Sequence, residues 1–219
     1  LMGLETMEHR KKTPYVLIGV LFYLIIPFAY LLLADFPQRT LLKNSISFLT
    51  LGAFFLMLGQ FYLTRINKIT LKGNKFSKVL NKHKAIGYIF IPILMLHPFL
   101  IVVPRFFEAG VDPSDAFVTM MTTYESSGLM IGIIAMGFMI LLGITSILRK
   151  KMKLSYATWR FSHGILSILF VIFATWHAID LGRHTDLILS IYMILMAITG
   201  IFFLLRLYIV QPQFKGGKK

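Results

Sequence analysis

The stretch from Trp159 to Ile179, WRFSHGILSILFVIFATWHAI, is an apolar run that also carries two histidines. About 20 such residues cross the hydrocarbon core of a bilayer as one α-helix. His163 and His177 lie 14 positions apart within it. Fourteen helical steps of 100° return to within about 40° of the same face after a rise of about 21 Å. We therefore predict a membrane helix that carries one histidine near each end, on one face.

A second apolar run, Lys84–Val103, repeats this arrangement. Its histidines, His83 and His97, are also 14 positions apart. One other span separates the two runs, so they cross the membrane in the same direction. We predict two cross-helix pairs at two levels: His83 with His163, and His97 with His177.

The whole chain is built from such runs. Of its 219 residues, 57% are hydrophobic and 15% are charged, and the mean hydropathy is +0.74, too apolar for a soluble domain of this size. The strands of a membrane barrel would alternate in short segments, and these runs do not. We predict an all-α integral membrane protein, a six-helix bundle. The predicted spans are Tyr15–Ala34, Ser45–Thr64, Lys84–Val103, Leu129–Leu148, Trp159–Ile179 and Leu187–Val210.

The net charge of +14 is distributed unequally between the two sides of this bundle. The termini and the connections on their side hold nineteen basic and two acidic residues, whereas the opposite side holds four basic and seven acidic. The positive-inside rule then predicts that both termini are cytoplasmic. Charge that follows the span boundaries in this way argues against a nucleic-acid partner. The absence of cysteine excludes disulfides, thiolate metal sites and c-type haem attachment.

Each predicted histidine pair presents two neutral imidazoles to each other, the ligand set of a low-spin b-type haem. The alternatives are a hydrogen-bonded contact between helices or another metal site. Zinc needs ligands clustered within a few ångströms, and the two levels lie about 21 Å apart. We predict two stacked b-type haems, with iron ligands His83 and His163 in the inner haem and His97 and His177 in the outer one.

Aromatic residues and glycines on the same spans are expected to border these haems. Phe90 and Phe170 each lie seven positions from both histidines of their own span, so their rings share the histidine face midway between the two levels. Gly87 and Gly164 would let a haem plane approach the backbone closely.

Basic residues are expected to pair with the haem propionates. Arg160 lies near the inner level, and three residues lie near the outer level: Arg105, Arg183 and His184.

We also expect Pro104 to end the third span.

The histidine spacing and two short motifs resemble the ferric reductase-like transmembrane domain superfamily. The motifs are HKAIG at His83–Gly87 and LSYATWRFSHG at Leu154–Gly164, and the resemblance covers about Tyr15 to Val210. The superfamily includes NADPH oxidases, ferric-chelate reductases and the haem subunit of the bacterial methionine sulfoxide reductase system. The complete set of four histidines favours the oxidase and reductase branch.

This resemblance implies electron transfer from cytoplasmic NAD(P)H through flavin to the inner haem, the outer haem and an external acceptor. The chain shows no G-x-G-x-x-G loop, so FAD and NAD(P)H are expected on a dehydrogenase domain or on a separate flavoprotein subunit. We expect a cytoplasmic basic arm at 1–14, the six-helix domain at 15–210 and a cytoplasmic tail at 211–219 that links to such a domain. The expected location is the bacterial inner membrane, with the lipid bilayer as a further partner.

The external acceptor stays open at this point. Arg105, Arg183 and His184 would stabilise superoxide as it forms from oxygen, because cationic donors favour developing negative charge. Acidic residues on the same surface would instead attract cationic ferric complexes. Two other functions compete: a quinol-linked cytochrome b subunit of a respiratory or periplasmic repair system, and a non-enzymatic transporter or assembly factor. The last ranks lowest, because no pair of interrupted spans suggests an inverted repeat.

Overall fold

The computed structural model describes residues 18–36, 39–70, 75–123, 126–182 and 184–210. Every regular element within these ranges is helical. The helices are α1 (Ile18–Leu33), α2 (Leu41–Thr70), α3 (Lys75–Ala109), α4 (Pro113–Thr122), α5 (Ser127–Ile147), α6 (Tyr156–Leu181) and α7 (Leu187–Val210). The predicted arm 1–14, the tail 211–219 and Arg183 lie outside the described residues.

Five of these helices, α2, α3, α5, α6 and α7, are long and apolar enough to cross a membrane, whereas α1 is a shorter apolar helix. Large apolar side chains such as Leu33, Leu187 and Ile188 face outward, as a lipid-facing surface requires. The chain is therefore an all-helical, multi-pass integral membrane protein, as predicted. The first predicted span, Tyr15–Ala34, corresponds to the shorter helix α1, so a total of six spans stays a prediction.

The helices pack around a core shared by α2, α6 and α7. Phe55, Val171, Leu189 and Met193 are fully buried there. The helix α5 packs along α6, α2 packs along α3, and α7 contacts both α2 and α6. This arrangement places α3 and α6, which carry the paired histidines, on either side of the bundle interior.

The end of α3 differs from the prediction. Pro104 lies inside the helix, which continues to Ala109. Gly110 then ends it with a left-handed backbone, φ +63°, and its N–H donates to the carbonyl of Phe106 at 3.0 Å. A proline removes one helical hydrogen bond, but membrane helices tolerate that loss where neighbouring groups satisfy the backbone. The expectation that Pro104 ends the span is therefore wrong.

The connection after α3 contains a helix that the sequence patterns did not predict. The Asp112 carboxylate accepts hydrogen bonds from the backbone N–H (2.8 Å) and the hydroxyl of Ser114, and so caps the start of α4. The Ser114 hydroxyl and the backbone N–H groups hold the pKa of Asp112 below its ordinary value. Phe117 stacks on Phe99 with ring centroids 4.5 Å apart, which fixes α4 against α3.

Candidate haem-binding site

The structure brings the four histidines together in the predicted combinations. The ring centroids of His83 and His163 lie 6.3 Å apart, with an angle of 73° between the ring planes. Those of His97 and His177 lie 5.9 Å apart, with an angle of 80°. Two facing imidazole pairs therefore stand at two levels between α3 and α6.

Two glycines of α5 contact His177, Gly128 through its carbonyl oxygen and Gly132 by leaving space for the imidazole. The Nδ1 atom of His177 lies 2.9 Å from the carbonyl oxygen of Gly128, and a Cβ at Gly132 would lie only 2.6 Å from Cε1 of the imidazole. A carbonyl oxygen can only accept, so Nδ1 carries the proton and Nε2 is left with its lone pair. Metal-binding histidines are commonly held by such a hydrogen bond at the second nitrogen. The backbone of α5 therefore fixes the position and the tautomer of His177.

His163 is held differently. Its Nδ1 atom lies 3.4 Å from the hydroxyl oxygen of Ser146, a long contact for a hydrogen bond. The indole of Trp159 stacks against its ring, with centroids 5.1 Å apart and planes 27° apart. The indole N–H in turn donates to the carbonyl of Thr145 at 3.1 Å. A hydroxyl group and an aromatic ring, rather than a backbone carbonyl, therefore surround the imidazole of His163.

The two histidines of α3 have other surroundings. The buried Gln60 of α2 donates from Nε2 to the backbone carbonyl of His83 at 3.1 Å, which fixes this end of α3 against α2. At the other level, Nδ1 of His97 is buried and has no hydrogen-bond partner among the described residues. A buried polar atom without a partner costs free energy unless another group satisfies it.

A cavity of about 630 Å³ lies beside the His97–His177 pair. Pockets for cofactors and other small molecules fall within about 300–1,000 Å³. Apolar residues line most of it, including Phe170, and Gly132 forms part of its wall. The cavity is therefore large enough for a sizeable planar ligand, with imidazoles in its wall.

Three basic side chains line this cavity, those of Arg39, Lys43 and Arg105, and the imidazole of His184 lines it as well. Lys43 forms an ion pair with Glu108, whose other carboxylate oxygen accepts a hydrogen bond from the Thr40 hydroxyl at 2.6 Å. This contact joins the start of α2 to the end of α3 beside the cavity. The predicted residue Arg105 is exposed here, where it is accessible to an anionic group.

His184 is not available as the cationic donor that the sequence suggested. It is only 6% exposed, and its ring packs edge-on against Phe36 with centroids 5.2 Å apart. Burial lowers the pKa of His184, and the nearby charge of Arg39 lowers it further. Both effects favour the neutral imidazole, so His184 contributes its shape to the cavity wall rather than a positive charge.

The two predicted phenylalanines and Arg160 differ in burial and in position. Phe170 is buried and borders the cavity, whereas Phe90 is half-buried and lies outside the cavity lining. Arg160 is half-buried at the start of α6, and its backbone carbonyl accepts a hydrogen bond from the Tyr208 hydroxyl at 2.9 Å.

The two predicted glycines have different surroundings. A Cβ at Gly164 would lie 2.9 Å from Cζ of Tyr208, so this glycine accommodates a tyrosine of α7 rather than a haem plane. At Gly87 a Cβ would meet only Ile91, at 3.9 Å, so space beside this backbone is open. The expectation for Gly164 is corrected, and that for Gly87 stays a prediction.

These residues fit b-type haem. Two metal–imidazole bonds of about 2 Å, together with the half-widths of two rings, give a centroid separation of about 6 Å, which matches both pairs. Within the described ranges, no group of three or more histidine or acidic side chains could hold a metal ion, so each site offers two imidazoles. The free Nε2 of His177 and the adjoining cavity complete the fit at the outer level.

Sequence reasoning missed the residues that support the ligands. Gly128 and Gly132 form a G-x-x-x-G pattern, the signal for close helix packing in membranes. Trp159 was noted only as a member of the LSYATWRFSHG motif, which does not indicate that its ring stacks on His163. Arg39 and Lys43 were counted as outer charges, but nothing in the sequence placed them beside a cavity.

Comparison with known proteins gives two matches. The family described as "Ferric reductase like transmembrane component" matches residues 49–174, a range that includes His83, His97 and His163 and ends just before His177. An uncharacterized protein of Archaeoglobus fulgidus is 34% identical over 161 residues, which is 74% of this chain and 87% of that protein. No solved structure matches the chain.

Proposed function

Because this chain belongs to the ferric reductase-like transmembrane family, we propose that it conducts electrons across the membrane through two bis-histidine b haems. The family supports transmembrane electron transfer and oxidoreductase activity in general. The observation that carries the specific proposal is the pairing of His83 with His163 and of His97 with His177 between the same two helices.

Each haem, when bound, would supply a one-electron redox centre, one near each membrane surface. The chain supplies the ligands and fixes their orientation. The Gly128 carbonyl holds the proton of His177 at Nδ1, and Trp159 restricts the ring of His163. Ligands held in this way lose little conformational freedom when the cofactor binds.

The direction of transfer in this proposal follows from charge. The turn after α5 carries exposed basic side chains, among them Arg149, Lys150 and Lys151, which the positive-inside rule places in the cytoplasm. A reduced flavin, itself reduced by NAD(P)H on a fused domain or a separate subunit, would then donate electrons at the His83–His163 level. The outer cavity would face the opposite compartment, across a membrane that we propose to be the bacterial inner membrane.

The acceptor would meet the outer site at its positive border. Arg105 is exposed there, and His184 is neutral, so Arg105 is our first candidate for contact with the acceptor. Arg183 is proposed for the same role on sequence grounds alone. Cationic donors favour an acceptor that is anionic or becomes so, either oxygen as it is reduced to superoxide or an anionic ferric chelate.

Haem content of the purified protein tests this proposal most directly. We expect two b-type haems per chain. His97→Ala or His177→Ala should remove one of them, and His83→Ala or His163→Ala should remove the other. Leu96→Ala and Trp176→Leu are matched controls, because these exposed neighbours of the outer ligands face away from the site and should leave both haems bound. A colourless wild-type protein would contradict the proposal.

Reconstituted vesicles then identify donor and acceptor. Haem-loaded protein should be reduced by NADPH together with a flavoprotein added on the side of the basic turn, and reoxidised from the opposite side by oxygen or ferric citrate. Superoxide without ferric turnover would identify an oxidase, and the converse would identify a ferric reductase. Rapid reduction by quinol alone would contradict the proposed donor.

A further inference from the structure

An aromatic stack on α6 connects the exposed surface with the inner ligand. The rings of Tyr156 and Trp159 stack with centroids 6.0 Å apart and planes 25° apart, and Trp159 stacks in turn on His163. Tyr156 is 49% exposed. Since these residues occur at positions i, i+3 and i+7, they occupy one face of the helix over a rise of about 10 Å.

Trp159 is fixed within this stack by two further contacts. Its indole N–H donates to the carbonyl of Thr145 on α5. The guanidinium carbon of Arg149 lies 4.9 Å from the Trp159 ring centroid and 4.5 Å from that of Tyr156, within the range of cation–π contact. The ring is therefore held in place, and a positive charge covers the end of the stack.

The other tryptophan of the chain shows that this arrangement is more than an interfacial anchor. Trp176 adjoins the outer ligand His177, but it is 58% exposed and faces the lipid side, as tryptophans of membrane interfaces do. Trp159 instead turns inward and contacts its neighbouring ligand, His163.

We propose that Trp159 is the route by which electrons reach the inner histidine pair, and that the donor docks over Arg149 and Tyr156. This inference rests on the proposed function. Each electron would leave a reduced flavin, which would be oxidised, and would be taken up by the haem that His83 and His163 would hold, whose ferric iron would become ferrous. The rings of the stack would undergo no net change. Their delocalised π electrons couple donor and acceptor better than aliphatic side chains would.

The charge of the docking surface defines the partner. Arg149 covers the exposed end of the stack, and three further exposed basic residues follow it in the same connection: Lys150, Lys151 and Lys153. They favour the anionic phosphate of a flavin and an acidic protein face around it, because complementary charge accelerates encounter. The partner is therefore an acidic flavoprotein that presents its reduced flavin to Tyr156.

Stopped-flow reduction of the haem-loaded protein by chemically reduced FMN tests the route. We expect Trp159→Leu to slow the first phase about 10- to 100-fold, the range typical of groups behind a metal ligand, while Trp159→Phe, which keeps a ring, retains most of the rate. Trp176→Leu is the matched control and should reduce at the wild-type rate. A Trp159→Leu protein that binds both haems and reduces at the wild-type rate would overturn the inference.

Two further measurements separate this route from a structural role. The electron paramagnetic resonance spectrum of the resting ferric protein should change at one of its two signals in Trp159→Leu, since the stacked ring restricts the imidazole, and at neither in Trp176→Leu. Arg149→Gln should lower the rate at low ionic strength and weaken its salt dependence. An unchanged rate and salt dependence in Arg149→Gln would refute the docking surface. Absence of haem from the wild type would instead refute the proposed function.

Discussion

The inner and outer histidine pairs share one geometry but differ in what surrounds them. In the outer pair, His177 is held by a backbone carbonyl and packs on glycine, beside a cavity with a positive border. In the inner pair, His163 lies near a serine hydroxyl and against a stacked indole, close to a basic turn. The outer surroundings therefore suit exchange with a small acceptor, whereas the inner ones suit contact with a protein donor.

The largest effect is expected from a substitution that displaces one histidine of the outer pair. In Gly132→Leu the new side chain would occupy the space of the His177 imidazole, so the ligand cannot keep its position. We expect haem content to fall from two per chain to one, measured by absorption of the pyridine complex. Gly137→Leu, at an α5 position with no atom within 4 Å of a new Cβ, should keep both haems. Loss of both haems in Gly132→Leu, or of none, would show that the two sites are not built independently.

A smaller effect is expected at the inner pair. Ser146→Ala removes the hydroxyl near Nδ1 of His163, which would make the imidazole a weaker electron donor to the iron that we propose it binds. A hydrogen bond contributes about 1 kcal/mol, so the inner reduction potential should rise by about 40 mV at most. Redox titration followed by absorbance measures this shift. Ser162→Ala, at an exposed neighbour of His163, should cause none, and an equal shift in both variants would exclude the contact as its cause.

The smallest effect concerns pH at the outer border. Burial lowers the pKa of His184 below its ordinary value of 6.5, so the unfolded chain takes up a proton before the folded one as pH falls. The stability contributed by neutral His184 is therefore present above about pH 6.5 and is lost below it. Hydrogen exchange in the turn between α6 and α7 should be severalfold faster at pH 5.5 than at pH 7.5, after correction for intrinsic rates. His184→Gln should abolish this difference, and a difference that persists would assign it to another group.

The histidine pairs could be predicted from the sequence because they depend on the helical periodicity within each of two helices. The spacing of 14 residues places His83 and His97, or His163 and His177, on one face without any knowledge of the partner helix. The all-helical membrane fold followed from composition in the same way. The shared face of each two histidines and the membrane fold use information local to one segment, and the pairing needed in addition only the number of spans between the two runs.

What could not be predicted depends on contacts between segments. Gly164 was expected to face a haem, but only the docking of α7 shows that it accommodates Tyr208. The burial of His184 likewise follows from Phe36, which is distant in sequence. By contrast, the α4 helix had a readable start signal in Asp112 and the proline after it.

The prolines of α3 give the two histidine-bearing helices different stiffness. Each proline removes a donor to the carbonyl four residues earlier, so the carbonyls of Tyr88, Leu94 and Leu100 lose their helical partners. The helix α6 contains no proline between its two histidines. The helical hydrogen bonds of α6 are therefore unbroken between His163 and His177, whereas those of α3 are interrupted between His83 and His97. The distance between the two histidine levels is therefore fixed more firmly by α6 than by α3.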